Sequence, residues 1–502
     1  MITEDRLNEY ELWFLTGSQH LYGQEVLREV EEHSRQIVEG LNGTRAIPVK
    51  LIAKPVLTTS QAISRALAEA TASDRCVGVV TWMHTFSPSQ MWLPGLQMLG
   101  KPMVHLHTQF NKEIPWDSID MDFMNLNQSA HGGREFGFAA TRLGVPRKVI
   151  VGHWQEESVQ TELGQWAAVA LAVIDAAQGR IARFGDNMRR VAVTEGNKVD
   201  ARVVFGYSVE GFGIGDLVEY LHNVPDADID RTVTEYEEQY TVDKTLRRGG
   251  DRHEPLRYAA RQELGMRSFL EEGGFIGFTT TFENLYGMDQ LPGLAVQRLM
   301  ADGYGFGAEG DWKTAAFVRA AKIMSLRQEG GTSFMEDYTY HFDDRGGAVL
   351  GAHMLEVCPS IAGSKPSVEI HSLSIGGKGD PVRAVFDGKP GSGRNATIID
   401  LGGRFRMLVN EVETIEPSAP TPNLPVARLL WRPKPDLRTS AAAWILAGGA
   451  HHTVYTQGAT QQQLLDFARI HGIETLVIDE RTSLRDVENE LRWNEAYYRG
   501  FR

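Results

Sequence analysis

The chain has 502 residues, 42% of them apolar and 23% charged, with a formal net charge of −14 and a pI near 5.6. That length exceeds what one core supports and predicts several domains, while the acidity excludes nucleic acid or an anionic membrane as the main partner. Cys76 and Cys358 are the two cysteines and lie far apart, so neither a disulfide framework nor a zinc ribbon is expected. The acidic start MITEDRLNEY and the lack of an apolar run of ~18 residues predict a soluble cytoplasmic protein.

Strand and helix alternate from the start. ELWFLTG reads as a buried strand, Ser18 to His20 as a turn and LREVEEHSRQIVEGL as a helix. VKLIAKPVL (strand), SQAISRALAEATA (helix), CVGVVTWMHTF (strand), QMWLPGLQML (helix) and KPMVHLHTQF (strand) follow. This alternation predicts a parallel sheet with crossover helices. Ligands then sit beyond the carboxyl ends of the strands, where Gln19, Tyr22, His84, Phe86, His107, Gln109 and Asn111 fall. The polar, aperiodic stretch from Asn111 to Arg134 reads as a long functional loop. Helix REFGFAATRL, strand KVIVGHW and a helix from Glu156 to Ala177 complete a first domain, residues 1–177.

A second domain, residues 178–327, opens with IARFGDN and DARVVFGYSV, both strand-like. Helices GDLVEYLHNV, DIDRTVTEYEEQY and RHEPLRYAARQELGMRSFLEE, strand FIGFTTTFENL, and helices LAVQRLMADG and WKTAAFVRAAKIMS continue it. Thereafter SFMEDYTYHF, AVLGAHMLEV, SVEIHSLSI, VRAVFD, ATIIDLG and RFRMLVNEVETI are short, β-branched and bounded by turn residues. They predict an antiparallel sandwich or barrel in a third domain, residues 328–502, which ends in helices QQLLDFARIHG and LRDVENELRWNEAYY. The expected fold class is α/β: two Rossmann-like domains with parallel sheets, then a β-rich, barrel-like C-terminal domain.

The chemistry concentrates between Gly303 and His353, with a return at His452. Glu309 (GYGFGAEGDWKT), Glu336 (GGTSFMEDYTYHF), His353 (LGAHMLEVCPS) and the pair His451 and His452 (AGGAHHTVYT) place acids and imidazoles in chain that is otherwise apolar or β-prone. Buried charges must be paired or bound, and two carboxylates with one or two imidazoles suit a borderline-hard divalent metal. The plainer alternative is a helix-terminal acid, a solvated strand acid and core histidines. Adjacent strand residues face opposite ways, so at most one of His451 and His452 should enter the site. Gly305, Gly307 and Gly310 match G-x-G-x-x-G, but the preceding segment is helical, which argues against a dinucleotide fingerprint. These glycines are expected to let backbone approach a ligand and to project Glu309. His105 and His107 read as structural. Lys313 is either a solvated helix charge or a carbonyl polariser. No HExxH, GxSxG or P-loop occurs, so those enzyme classes have no support.

These segments, together with GSQHLYG, HTFSP, KPMVHLHTQFN, PWDSIDMDFMNLNQSAHGGREFGF, RFGDNMR, TTTFE, LPGLAVQRLM and HMLEVCPSIA in that order, resemble the bacterial L-arabinose isomerase family over essentially the whole chain. The resemblance implies a metal-dependent aldose–ketose isomerase that converts L-arabinose to L-ribulose through an enediol, opening L-arabinose catabolism, with D-galactose to D-tagatose as a second activity. It implies one Mn²⁺ per subunit, replaceable by Co²⁺ or Mg²⁺. The implied ligands are Glu309, Glu336, His353 and His452, with both glutamates also catalytic. The implied sugar contacts are Gln19, Leu21, Tyr22, Phe86, Gln128, His131, Met188 and Phe282. A homohexamer with sites shared between subunits is implied too. The rival readings are a ketol isomerase for another sugar such as L-fucose, and a non-catalytic sugar-binding protein. Sugar-dependent release of ketose, lost on chelation, separates the last from the others.

Overall fold

The computed structural model describes residues 1–499. Two compact units emerge, one formed by Ile2–Ile174 with Arg469–Gly472, the other by Asp175–Ala468 with the chain from Ile473 onward. The first unit is built on five parallel strands: β1 (Glu11–Gly17), β2 (Lys50–Ala53), β3 (Cys76–Met83), β4 (Met103–His107) and β5 (Lys148–Val151), in the order β2-β1-β3-β4-β5. Every residue of β3 is buried, as expected of a central parallel strand covered on both faces. The order reverses between β1 and β3, which places the ligand crevice of such a sheet at their carboxyl ends.

The stretch from Asn111 to Arg134 is only partly a loop. Helix Met121–Leu126 begins where the Asp120 side chain accepts from Phe123 N, a standard N-cap. Helix Ser129–Arg142 follows. It extends the expected helix REFGFAATRL by one turn at its start, where the buried face is Ser129, Gly132 and Gly133, too small-residued to register as an apolar period. A Cβ on Gly132 would lie 2.5 Å from Thr85 O, so glycine is what lets this helix seat on the end of β3.

In the second unit come β6 (Arg180–Phe184), β7 (Ser208–Phe212), β8 (Thr241–Val242), β9 (Gly277–Thr280) and β10 (Gly305–Gly307). Four of these make a parallel sheet in the order β10-β9-β6-β7. DARVVFGYSV is not one strand. Its first part is helix Lys198–Val204, started by Asn197, whose side chain accepts from Val199 N and Asp200 N, and only then does β7 begin.

The rest of the unit is β-rich, as expected: β11 (Thr332–His341), β12 (Ala348–Ala352), β13 (Ser367–Ile370), β14 (Val382–Val385), β15 (Gly391–Asp400), β16 (Phe405–Ile415), β17 (Arg428–Pro433), β18 (His452–Thr456) and β19 (Glu474–Ile478). Antiparallel pairing runs β15-β18-β11-β12-β17-β16 and returns from β16 to β15, while β19 adds in parallel outside β16. Strands β13 and β14 leave this ring and pair with β8 in a small separate sheet. Met335, Val349, Trp431 and Tyr455 pack with Tyr236 and Leu256 in one buried cluster. Among the described residues no helix is long and apolar enough to cross a membrane.

Candidate active site

Strand β11 is the spine of the site. Glu336 on β11 lies opposite His452 on β18 and opposite Ala352 on β12. Because β12 ends at Ala352, His353 is the first residue beyond it. Glu309 arrives from the carboxyl end of β10, where it adopts φ 59°, a left-handed conformation costly for a non-glycine residue. Its backbone is held there by Met188 N, which donates to Glu309 O at 2.9 Å, and by Gly310 N, which donates to Thr280 O at 3.1 Å. The side chains converge: Glu336 Oε2 is 3.7 Å from His353 Nε2, and Glu309 Oε2 is 3.8 Å from His452 Nε2. The Phe334 ring stands edge-on to both imidazoles, with centroids 5.1 Å away.

Each imidazole is oriented by a carboxylate behind it. His353 Nδ1 donates to Glu356 Oε2 at 2.5 Å. His452 Nδ1 donates to Asp311 Oδ2 at 3.2 Å, leaving its buried Nε2 with no hydrogen-bond partner among the described residues. One nitrogen fixed by a carboxylate and the other presented bare is the arrangement metal-ligating histidines adopt. Burial alone would push Asp311 up, yet Lys313 and His452 hold its carboxyl well below the ordinary range. Burial likewise pulls His353 down, but Glu356, Glu336 and Glu309 outweigh it and raise it. The field is therefore that of surplus carboxylate, which a divalent cation would neutralise. The residues present fit a borderline-hard metal ion.

Three expectations need correction here. His451 also reaches the cluster, its Nε2 lying 3.8 Å from Glu309 Oε2, and the ligand atoms of Glu309, His451 and His452 all lie within 4.8 Å of one another. Strand β18 starts only at His452, so alternation along a strand does not apply to the pair. Lys313 is neither solvated nor free to polarise a carbonyl. It is buried and donates to Thr194 O, Glu195 O and Asp311 Oδ1. Gly305 and Gly307 of the G-x-G-x-x-G segment serve helix packing rather than ligand approach, while Gly310, at φ 81°, lies against the backbone of Asp186 and Asn187. A Cβ on Gly305 would fall 2.0 Å from Ala315 O, and one on Gly307 2.3 Å from Asp311 O.

Phe282 lines a cavity beside Glu309 and His353, together with Leu285, Leu291 and Ile375. Met188, also in the second unit, is tied to the cluster by its backbone bond to Glu309. The other six sugar-contact candidates form their own platform in the first unit. Gln19, Leu21 and Tyr22 follow β1, Phe86 follows β3, and Gln128 and His131 open helix Ser129–Arg142. Ser18 Oγ and Thr85 Oγ1, 2.7 Å apart, tie the first two segments, and Gln128 N donates to His84 O at 2.8 Å. The rings of Phe86 and His131 stack at 4.7 Å, and His131 Nδ1 donates to Gln128 Oε1 at 3.1 Å. This platform stands at the order reversal between β1 and β3.

The L-arabinose isomerase N-terminal, central and C-terminal domain families match residues 6–178, 180–327 and 331–474 respectively. An L-arabinose isomerase of Geobacillus stearothermophilus is 58% identical over 494 residues, covering 98% of this chain and 99% of its own length. The chain belongs to the L-arabinose isomerase family. Another L-arabinose isomerase, from Herpetosiphon aurantiacus, is 58% identical over 492 residues and covers 98% of both chains. One from Flavobacterium johnsoniae is 54% identical over 495 residues and covers 99% of both.

Within this member of the L-arabinose isomerase family, sequence reasoning overlooked Asp311 and Glu356. Glu356 left a local signal, an acid three residues after His353. Asp311 left none for its link to His452, since its side chain also caps helix Trp312–Met324 by accepting from Thr314 N, a sufficient role by itself.

Proposed function

We propose that the chain isomerises L-arabinose to L-ribulose at the cluster of Glu309, Glu336, His353 and His452, with one divalent metal ion, Mn²⁺ or in its place Co²⁺ or Mg²⁺. The observation that carries this reading is the bare, buried Nε2 of His452, backed by Asp311 and facing Glu309. Such an ion supplies Lewis acidity at the sugar carbonyl. The two glutamates do the proton work: one takes the C2 proton and returns it to C1, the other moves the hydroxyl proton, so that an enediol lies between aldose and ketose. D-galactose repeats the configuration of L-arabinose from C2 to C4 and is the expected second substrate, giving D-tagatose. The deciding assay offers pentoses, hexoses and deoxyhexoses with and without Mn²⁺. Ketose formed from L-arabinose without any metal, or from L-fucose alone, would sink this reading.

The ligand set has its own test. His452→Ala should lose metal and activity together, because His452 is fully buried and its Nε2 has no other partner. His451→Ala should keep the metal, since His451 is only half-buried and engages Glu309. Metal content after dialysis is the measurement, and equal loss in both variants would overturn the assignment.

We read the chain as three domains, 1–177, 178–327 and 328–502, in a cytoplasmic homohexamer whose sites draw on neighbouring subunits. The support is the stretch that includes Gln128 and His131. Trp116, Met121, Met124 and Phe138 there are all more than half exposed, and exposed apolar side chains concentrated in one segment mark an interaction surface. Dilution to monomers should abolish turnover before the chain unfolds. Full specific activity in a monomer fraction verified by light scattering would show that each site is self-contained.

A further inference from the structure

Strand β14 carries an arginine that the reaction chemistry leaves unused. Arg383 is among the largest fully buried side chains, 2% exposed. Among the described residues it forms no ion pair; its contacts are two carbonyl oxygens, while its Nε is buried without a partner. A buried charge held without a carboxylate is costly, so its placement calls for a reason.

The two carbonyls supply it. Nη2 donates to His371 O at 2.8 Å, and Nη1 to Met354 O at 3.3 Å. Met354 lies between His353, a candidate ligand, and Glu356, the carboxylate that orients it. Of the carboxylates around Arg383, Glu356 exerts the strongest pull on it. Further along the same two segments, Gln297 repeats the device: its Nε2 donates to Val357 O and Ala384 O, both at 3.0 Å, and its Oε1 accepts from Ala384 N at 2.7 Å. The segment from His353 to Val357, which is neither strand nor helix, is thus pinned to β14 at two carbonyls. The planar fork of an arginine suits it to hold two acceptors at once.

We propose that Arg383 is a positioning residue for metal binding. It fixes the backbone between His353 and Glu356, so that the Nδ1 bond to Glu356 and the aim of Nε2 toward Glu336 are set before the ion arrives. This rests on the metal reading of the cluster above.

The test is Mn²⁺ affinity, measured by calorimetry on full-length, demetallated protein at a temperature where circular dichroism reports it folded. R383M should raise the Mn²⁺ Kd at least about tenfold, the usual scale for residues that orient metal ligands. R383K keeps the charge and one carbonyl bond and should recover most of the affinity, with a rise of about threefold on the same scale. A purely structural role would lower the melting temperature and leave the Kd unmoved. A folded R383M whose Kd stays within twofold of wild type overturns the proposal. If R383M does not fold, R383Q decides by the same criterion, and failing that, an unchanged Kd in R383K overturns it. Wild-type protein that binds no Mn²⁺ would instead remove the metal reading itself, before any variant is compared.

Discussion

Glu336→Gln is expected to lower kcat at least about a hundredfold, and Glu309→Gln by the same order, the usual scale for a positioned acid or base. Gln keeps the shape of each side chain and removes its charge and its ability to accept a proton. Glu336 is held by pairing on both sides of β11, and Glu309 by its backbone bond from Met188 N and by that of the next residue, Gly310, to Thr280. Neither change should therefore disturb the fold. Metal content must be measured beside kcat. A variant that keeps its ion and loses turnover marks an acid or base, whereas one that loses both marks a ligand. The hydrogen itself gives the second measurement. In D₂O, an enediol route places solvent deuterium on C1 of the ketose, visible by NMR. Complete retention of the substrate hydrogen, in wild type and in slow variants, would point to a direct hydride shift and leave the glutamates as ligands alone.

Acid is expected to destabilise the N-terminal unit strongly. His84, just beyond β3, and His105, in the middle of β4, are buried, and burial, aided by His33 and His107 respectively, pushes each down to about 3. Their unfolded value is about 6.5. Both groups are thus neutral in the folded unit while the unfolded chain takes up protons, so stability is whole above about pH 6.5 and falls with pH down to about 3. Between pH 7 and pH 5 each costs about 2 kcal/mol, roughly 4 kcal/mol together. Hydrogen exchange of the β3 and β4 amides, corrected for intrinsic rates, reads this directly. The double variant H84Q/H105Q should lose most of the dependence; an unaltered pH slope in it would refute the argument.

What the sequence made legible follows from which interactions are local. The alternation of strand and helix through residue 177 stands in the structure because each crossover shows its own period. The first turn of helix Ser129–Arg142 was hidden, though REFGFAATRL read as helix, because its contact face there is glycine, and helix Lys198–Val204 was hidden because its cap, Asn197, precedes a β-branched run. The β-rich character of the C-terminal stretch was readable from composition. The membership of the ring was not, since β13 and β14 are as β-branched as the strands that replace them, and only distant partners sort them. At the site, Glu309, Glu336, His353 and His452 stood out as polar groups in apolar chain, and the structure brings them together. Asp311 stayed hidden because its contact with His452 spans 141 residues. His451 was misjudged by one residue in where β18 begins.

The register of β11 has a consequence for which ions the cluster can accommodate. Glu336 and His452 are cross-strand partners, so the spacing of their Cβ atoms is set by sheet geometry at about 5 Å. His353 is restrained too, through Glu356. Glu309 alone comes from a turn, between a three-residue strand and a helix start. On the metal reading proposed above, any adjustment to an ion of smaller or larger radius would fall on the Glu309 side chain. Tolerance among divalent ions would then be a property of that one corner, with the other three candidate ligands as the gauge.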